Sequence, residues 1–161
     1  TRAHRSILHG TKSAENKFYR DNVAEEYKNP TDKRVKKLIE AGSKGRMPYS
    51  WFYNDLVKNV SKEKTIHAAQ IPKAISRKLI EATTMSGDTV VVLFGGSGSE
   101  CEVCKEGGRN YITAELNEAY HELIVKRLET GEIPKEFWHK SRLPRKKKKI
   151  ASDEKQTKLG L

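Results

Sequence analysis

Residues 87–100 read "GDTVVVLFGGSGSE": a β-branched run that ends in the glycine-rich turn Gly95, Gly96, Ser97, Gly98. A strand that delivers its chain into glycines brings bare backbone close to a ligand, and the neighbouring side chains decide which ligand. A phosphate loop requires Lys and then Ser or Thr after its last glycine. Here Gly98 is followed by Ser99 and Glu100, and the Glu would repel a triphosphate, so nucleotide hydrolysis is excluded. The turn contains one G-x-G but not the full G-x-G-x-x-G of a dinucleotide site.

S-adenosylmethionine makes a third demand. Its methionine and ribose portions need close backbone, and an acid at the end of the next strand must accept from the ribose hydroxyls. Glu115 closes "RNYITAE", 17 residues after Gly98, where a strand–helix–strand unit puts such an acid.

The elements that must position these groups follow from pattern. Pro72 suits the first turn of a helix whose inward face is Ile71, Ile75, Leu79 and Ala82. "GDTVVVLF" reads as a buried parallel strand. "SECEVCKEGG" reads as a short helix closed by Gly107 and Gly108. "RNYITAEL" is a second strand, and from Asn117 a helix presents Tyr120, Leu123, Ile124 and Leu128 on one face. Helix, strand, helix, strand, helix predicts an α/β unit with a parallel sheet.

Around this unit, which we place at 67–130, the composition changes. Residues 1–66 hold 15 lysines and arginines against 8 acids; 67–139 hold 8 against 11; 140–161 hold 9 against 2. The flanks carry the whole excess of the +11 chain, as a polyanion-binding protein would, though solvation of a loose tail gives the same composition. In 1–66, "RSILHGTKS" reads as a strand ending in a turn, "TDKRVKKLIEAG" as a helix stopped by Gly42, and "SKGRMPYSWFYND" as loop. Without its own periodicity this segment must lean on something else. Residues 131–161 read as a basic, flexible tail. The two cysteines, Cys101 and Cys104, are too few for a disulfide framework and suit an intracellular protein; with His121 and His139 badly spaced they make no zinc site, so core packing is their expected role. The chain opens on Thr1 without a signal peptide or an initiator Met, as a processed or partial chain would, and holds no apolar run long enough for a membrane span.

The segment 86–120 resembles the cofactor-binding part of DNA methyltransferases that modify exocyclic amines, N6 of adenine or N4 of cytosine. That family runs G-D-x-V-L-D-P-F-x-G-S-G-T-T, a helix, then G-R-x-Y/F-I-G-x-E/D. Gly87, Asp88, Val90, Phe94, Gly96, Ser97 and Gly98 match the first part; Gly108 to Ile112 and Glu115 match the second. Upstream, His67, Gln70 and Pro72 match the family's H-P-x-Q-K-P. The departures are Val92 for Asp, Leu93 for Pro, Ser99-Glu100 for Thr-Thr, and Ile71 for Lys.

The resemblance implies a partial Rossmann-like methyltransferase fold, S-adenosylmethionine as cofactor without a metal, and double-stranded DNA as partner, in prokaryotic or viral cytoplasm. It places His67, Gln70, Phe94, Gly95, Gly96, Ser97, Gly98, Glu115 and Asn117 at the cofactor, and makes 1–66 the target-reading region. There Lys44, Arg46, Trp51 and Lys58 are the candidate DNA contacts. The rings of Trp51, Phe52 and Tyr53 suit either DNA or an edge packed on the α/β unit.

The family's catalytic loop, Asp/Asn/Ser-Pro-Pro-aromatic, has no counterpart: the sequence contains no Pro-Pro pair, and "MPYSW" at 47–51 lacks the acceptor. In one motif order of the family that loop lies N-terminal to everything found here. Either a second polypeptide supplies it, the reading we prefer, or the chain is a degenerate relative that binds DNA or assembles with other proteins without catalysis.

Overall fold

The computed structural model describes residues 5–51, 53–59 and 61–143. Six elements follow in order: α1 (Lys33–Glu40), α2 (Lys73–Thr83), β1 (Thr89–Val92), α3 (Ser99–Glu106), β2 (Asn110–Thr113) and α4 (Glu118–Thr130). Their ends are chemically marked. Asp32 caps α1 by accepting from Arg34 N (2.8 Å) and Val35 N (3.3 Å). Asn117 caps α4 by accepting from Tyr120 N at 3.1 Å, and Gly131 ends it in the left-handed region, φ +73°.

β1 and β2 pair in parallel, Thr89 opposite Asn110 through Val92 opposite Thr113, with α3 as the crossover. This is the expected α/β unit. Its core is one-sided. Val90 and Tyr111 pack on Ile80, Val103 and Cys104; Val92 and Tyr111 pack on Cys101, Ile124 and Leu128. Helices α2, α3 and α4 therefore cover the same face. On the other, Val91 is 61% and Ile112 62% exposed. The expectation of a strand buried on both faces fails for that reason: among the described residues nothing covers the second face.

The inward face of α2 also differs from the pattern. Ser76, Ile80 and Ala82 are buried, whereas Ile71 and Leu79 are exposed. The predicted stripe holds at Ala82, with Ile75 half-buried, and fails at Ile71 and Leu79, because a serine shares the inner face, where Ser76 Oγ donates to Glu100 Oε1 at 2.8 Å. Both cysteines are free and fully buried, as expected of core residues, and burial pushes both thiols up from their ordinary pKa.

The N-terminal segment leans on α2. Tyr19 N donates to Ala82 O (2.8 Å), Asn22 Nδ2 to Glu81 O (3.0 Å), and Lys78 pairs with Glu25 at 3.0 Å. "RSILHGTKS" forms no strand; its backbone finds no sheet partner among the described residues. Nor are residues 131–143 a loose tail. Phe137 is buried, Ile66 N donates to Phe137 O (2.9 Å), Thr65 bridges to Trp138, and Arg142 Nη1 donates to Lys64 O at 3.1 Å. The buried ring of Phe137 holds what the charge count suggested was free. The Lys/Arg run that follows lies outside the described residues. Among the described residues no helix is long and apolar enough to cross a membrane, and no group of three or more His, Cys, Asp or Glu could hold a metal ion.

Candidate cofactor crevice and nucleic-acid face

The glycine turn sits at the C-terminal ends of the two parallel strands, where open α/β sheets bind their ligands. Gly95 N donates to Ala114 O at 2.8 Å, which ties the turn to the end of β2. A Cβ on Gly95 would lie 2.6 Å from Ile124 Cδ1 and 2.8 Å from Thr113 Oγ1, so the backbone runs where a side chain has no room. Gly96 (φ +53°) and Gly98 (φ +75°) adopt left-handed backbone that favours glycine. Ser97 is buried, its Oγ 3.0 Å from Ser99 Oγ.

Glu115 turns back onto this bend. Its Oε2 accepts from Gly96 N at 2.7 Å and its Oε1 from Asn117 N at 2.9 Å. These amides, Asn117 first and Gly96 second, hold the carboxyl below its ordinary pKa of 4.5, so it is ionised at neutral pH. Each oxygen keeps a further lone pair.

His67 lies over the turn: a Cβ on Gly96 would come 3.2 Å from His67 Nε2. The imidazole meets Tyr120 edge-on, centroids 4.7 Å apart. Burial is the main cause lowering its pKa below 6.5, which keeps the ring neutral, and its buried Nδ1 has no hydrogen-bond partner among the described residues. The loop beneath is stitched by buried polar groups. Lys64 Nζ donates to the carbonyls of His67 (2.7 Å) and Ala68 (3.1 Å), and Thr65 Oγ1 accepts from His67 N at 3.2 Å.

Two predicted cofactor residues are spent on structure. Gln70 is buried; its Oε1 accepts from Thr65 N and Oγ1 (both 3.1 Å) while its Nε2 donates to Glu63 O at 2.6 Å. It shapes the loop that carries His67 instead of reaching the turn, because its amide satisfies backbone groups that burial would otherwise leave unpaired. The side chain of Asn117 caps α4. Phe94 projects from the strand end, 86% exposed. The structure thus brings His67, Gly95 to Gly98 and Glu115 together, with Phe94 open to solvent beside them.

Sequence reading missed Arg127. It is 1% exposed, donates from Nη1 to Ser97 O at 2.8 Å and pairs through Nη2 with Glu102, which also pairs with Lys73 at 3.0 Å. The available signal was a charge on the stripe of α4 that also carries Leu123, Ile124 and Leu128. A buried guanidinium there must have a carboxylate, and Glu102 supplies it.

The predicted nucleic-acid residues fall into two kinds. Lys44, Lys58 and Trp51 are exposed. Arg46 is not a free cation: it pairs with Glu25, exchanges backbone hydrogen bonds with Glu25 (2.9 and 2.8 Å) and lies over the Tyr49 ring, 4.6 Å from its centroid. Trp51 stacks on Tyr49, centroids 5.6 Å apart and planes 7° apart. Packing of Trp51 and Tyr53 on the α/β unit, the other reading of these rings, does not occur, since they are 70% and 83% exposed; Phe52 lies outside the described residues.

Compared with known proteins, residues 1–126 match the N6/N4 family model described as DNA methylase. The chain belongs to this family. Among curated methylases it is 40% identical over 63 residues to Type II methyltransferase M.Cfr9I of Citrobacter freundii, covering 39% of this chain and 21% of that protein. It is 30% identical over 128 residues to M.BglII of Bacillus subtilis, covering 76% of this chain and 35% of that one. A crystal structure of an M1.HpyAVI–SAM complex shares 37% identity over 42% of this chain and 34% of the other, with a TM-score of 0.40. The chain therefore spans about a fifth to a third of the length of these methylases.

Proposed function

We propose that this chain is the cofactor-binding and target-reading portion of a DNA methyltransferase, with the catalytic loop supplied by a second polypeptide. The enzyme transfers a methyl group from S-adenosylmethionine to an exocyclic base amine, N6 of adenine in the preferred reading. Residues 67–130 hold the cofactor and 1–66 meet the DNA. The observation that carries this is Glu115 locked against the glycine turn through Gly96 N at 2.7 Å, an acid and bare backbone brought together at the strand ends.

The crevice fits the cofactor. At Gly95 a Cβ would collide with Ile124 and Thr113, and at Gly96 it would crowd His67 from a left-handed backbone, so glycine is the residue that fits this turn, and Glu115 is already charged. Glu115 would accept from the ribose hydroxyls, the turn and Phe94 would line the methionine side, and the neutral His67 ring would close the crevice over Gly96. When bound, the sulfonium supplies an activated methyl group, so no metal is required of this chain. The chain's own work is binding and orientation. Extruding the base and accepting hydrogen bonds from its amine fall to the Pro-Pro-aromatic loop that this sequence lacks.

One observation favours the degenerate alternative, a methyltransferase-like subunit that binds DNA without catalysis: Val92 stands at the strand end where the family has Asp, which removes one charged anchor. Calorimetry with S-adenosylmethionine separates the two readings. The chain combined with a polypeptide carrying Asp/Asn/Ser-Pro-Pro-aromatic is expected to bind the cofactor and methylate DNA, while the chain alone methylates nothing. Absence of cofactor binding in both settings would leave the non-enzymatic reading.

A further inference from the structure

Arg46, Tyr49 and Trp51 form a cation–ring–ring assembly on the N-terminal segment. The Arg46 guanidinium lies over Tyr49, 4.6 Å from its centroid, and Trp51 is stacked on the same ring at 5.6 Å and 7°. The assembly is braced to the core. Arg46 pairs with Glu25, Glu25 pairs with Lys78 of α2, and Glu25 and Arg46 exchange two backbone hydrogen bonds. Gly45 permits that close approach: its φ is +154°, and a Cβ there would lie 2.3 Å from Glu25 O.

The outer end is bare. Trp51 is 70% exposed although Tyr49 covers one of its faces, so the other is open to solvent. A large ring held flat against Tyr49 and largely exposed is a surface on which a further π-system can stack with little loss of conformational freedom. The exposed lysines Lys44 and Lys58 flank it in sequence, and the segment to which it belongs carries 15 basic against 8 acidic residues. That charge selects a phosphate-bearing partner over an apolar protein surface.

We propose that the open face of Trp51 stacks on an unpaired nucleobase in duplex DNA. This deepens the methyltransferase reading and rests on it: an enzyme that extrudes a target base leaves a base without its partner. A fully paired duplex offers the ring only groove edges and backbone, whereas a duplex with one vacant position offers a base face.

The test uses the purified chain and two labelled duplexes of identical sequence, one fully paired and one with a single abasic site opposite an intact base. Fluorescence anisotropy compares the wild type, W51F and W51A, with circular dichroism to establish that each is folded. The wild type is expected to prefer the abasic duplex. W51A should lose about tenfold in affinity for that duplex and little for the paired one, and W51F should retain most of the preference. The salt dependence, which reports phosphate contacts, should be alike in all three. Equal affinity of the wild type for both duplexes would overturn the stacking proposal while leaving DNA binding intact, as would equal losses by W51A on both. Failure of the wild type to bind either duplex would overturn the DNA reading as well.

Discussion

The glycine turn and the aromatic loop around Tyr49 and Trp51 are the two proposed ligand sites, yet they are built in opposite ways. The turn is fastened from several sides, by Ala114 O, Glu115, Arg127 and the side chains of Ile124 and Thr113 that crowd Gly95. In the loop Arg46 is tied to Glu25, while Met47, Tyr49, Trp51 and Tyr53 are exposed. A cofactor of fixed shape rewards a rigid backbone cradle, whereas a polymer that must be gripped at a variable step rewards side chains with room around them. Substitutions at the turn should therefore damage folding or cofactor binding, and those at the loop should damage only the contact with DNA.

The sharpest break in that contrast comes at Arg127. R127M leaves Glu102 half-paired in a nearly closed site and frees Ser97 O, so urea denaturation should show a loss of about 3 kcal/mol. A loss under 1 kcal/mol would mean the turn does not depend on this clamp. E115A should weaken S-adenosylmethionine binding by the assembled enzyme about ten- to a hundredfold, the range for hydrogen bonds to a charged group; calorimetry measures it. G95A places a methyl against Ile124 and Thr113 and should cost about 2 kcal/mol in the same denaturation assay.

Acid should sharpen the comparison further. The Glu115 carboxyl is held below 4.5 by backbone amides. Its contribution to stability is therefore complete above that value and is lost as pH falls through the depressed folded pKa. The side-chain carboxyl carbon of Glu115, followed by NMR, should titrate with a midpoint below 4.5; a midpoint above 4.5 would contradict the tether. The smallest effect belongs to the loop: W51A should leave stability within about 0.5 kcal/mol of wild type.

Much of this was legible in the residues. Caps and stops marked the helices, as at Gly42, Asn117 and Gly107–Gly108, and the β-branched run "TVVV" marked β1. The turn and its acid were legible because backbone clearance and charge at a strand end belong to a few kinds of residue. What escaped were pairings across distance. That Gln70 serves Thr65 and Glu63, that Arg46 is neutralised by Glu25, and that Arg127 holds Ser97 depend on which loops meet in space. Periodicity found Ala82 on the inner stripe of α2 but missed Ser76, because it counts apolar side chains, and the residue that bonds Glu100 is Ser76.

The second face of the two-stranded sheet has a practical consequence. Val91 and Ile112 on that face are 61% and 62% exposed, and Leu93 and Leu116 beyond the strand ends 69% and 101%, and exposed hydrocarbon of that kind drives self-association. Prepared on its own at high concentration the chain should cloud, and co-expression with the proposed catalytic polypeptide is expected to keep it in solution, which a simple turbidity assay reads.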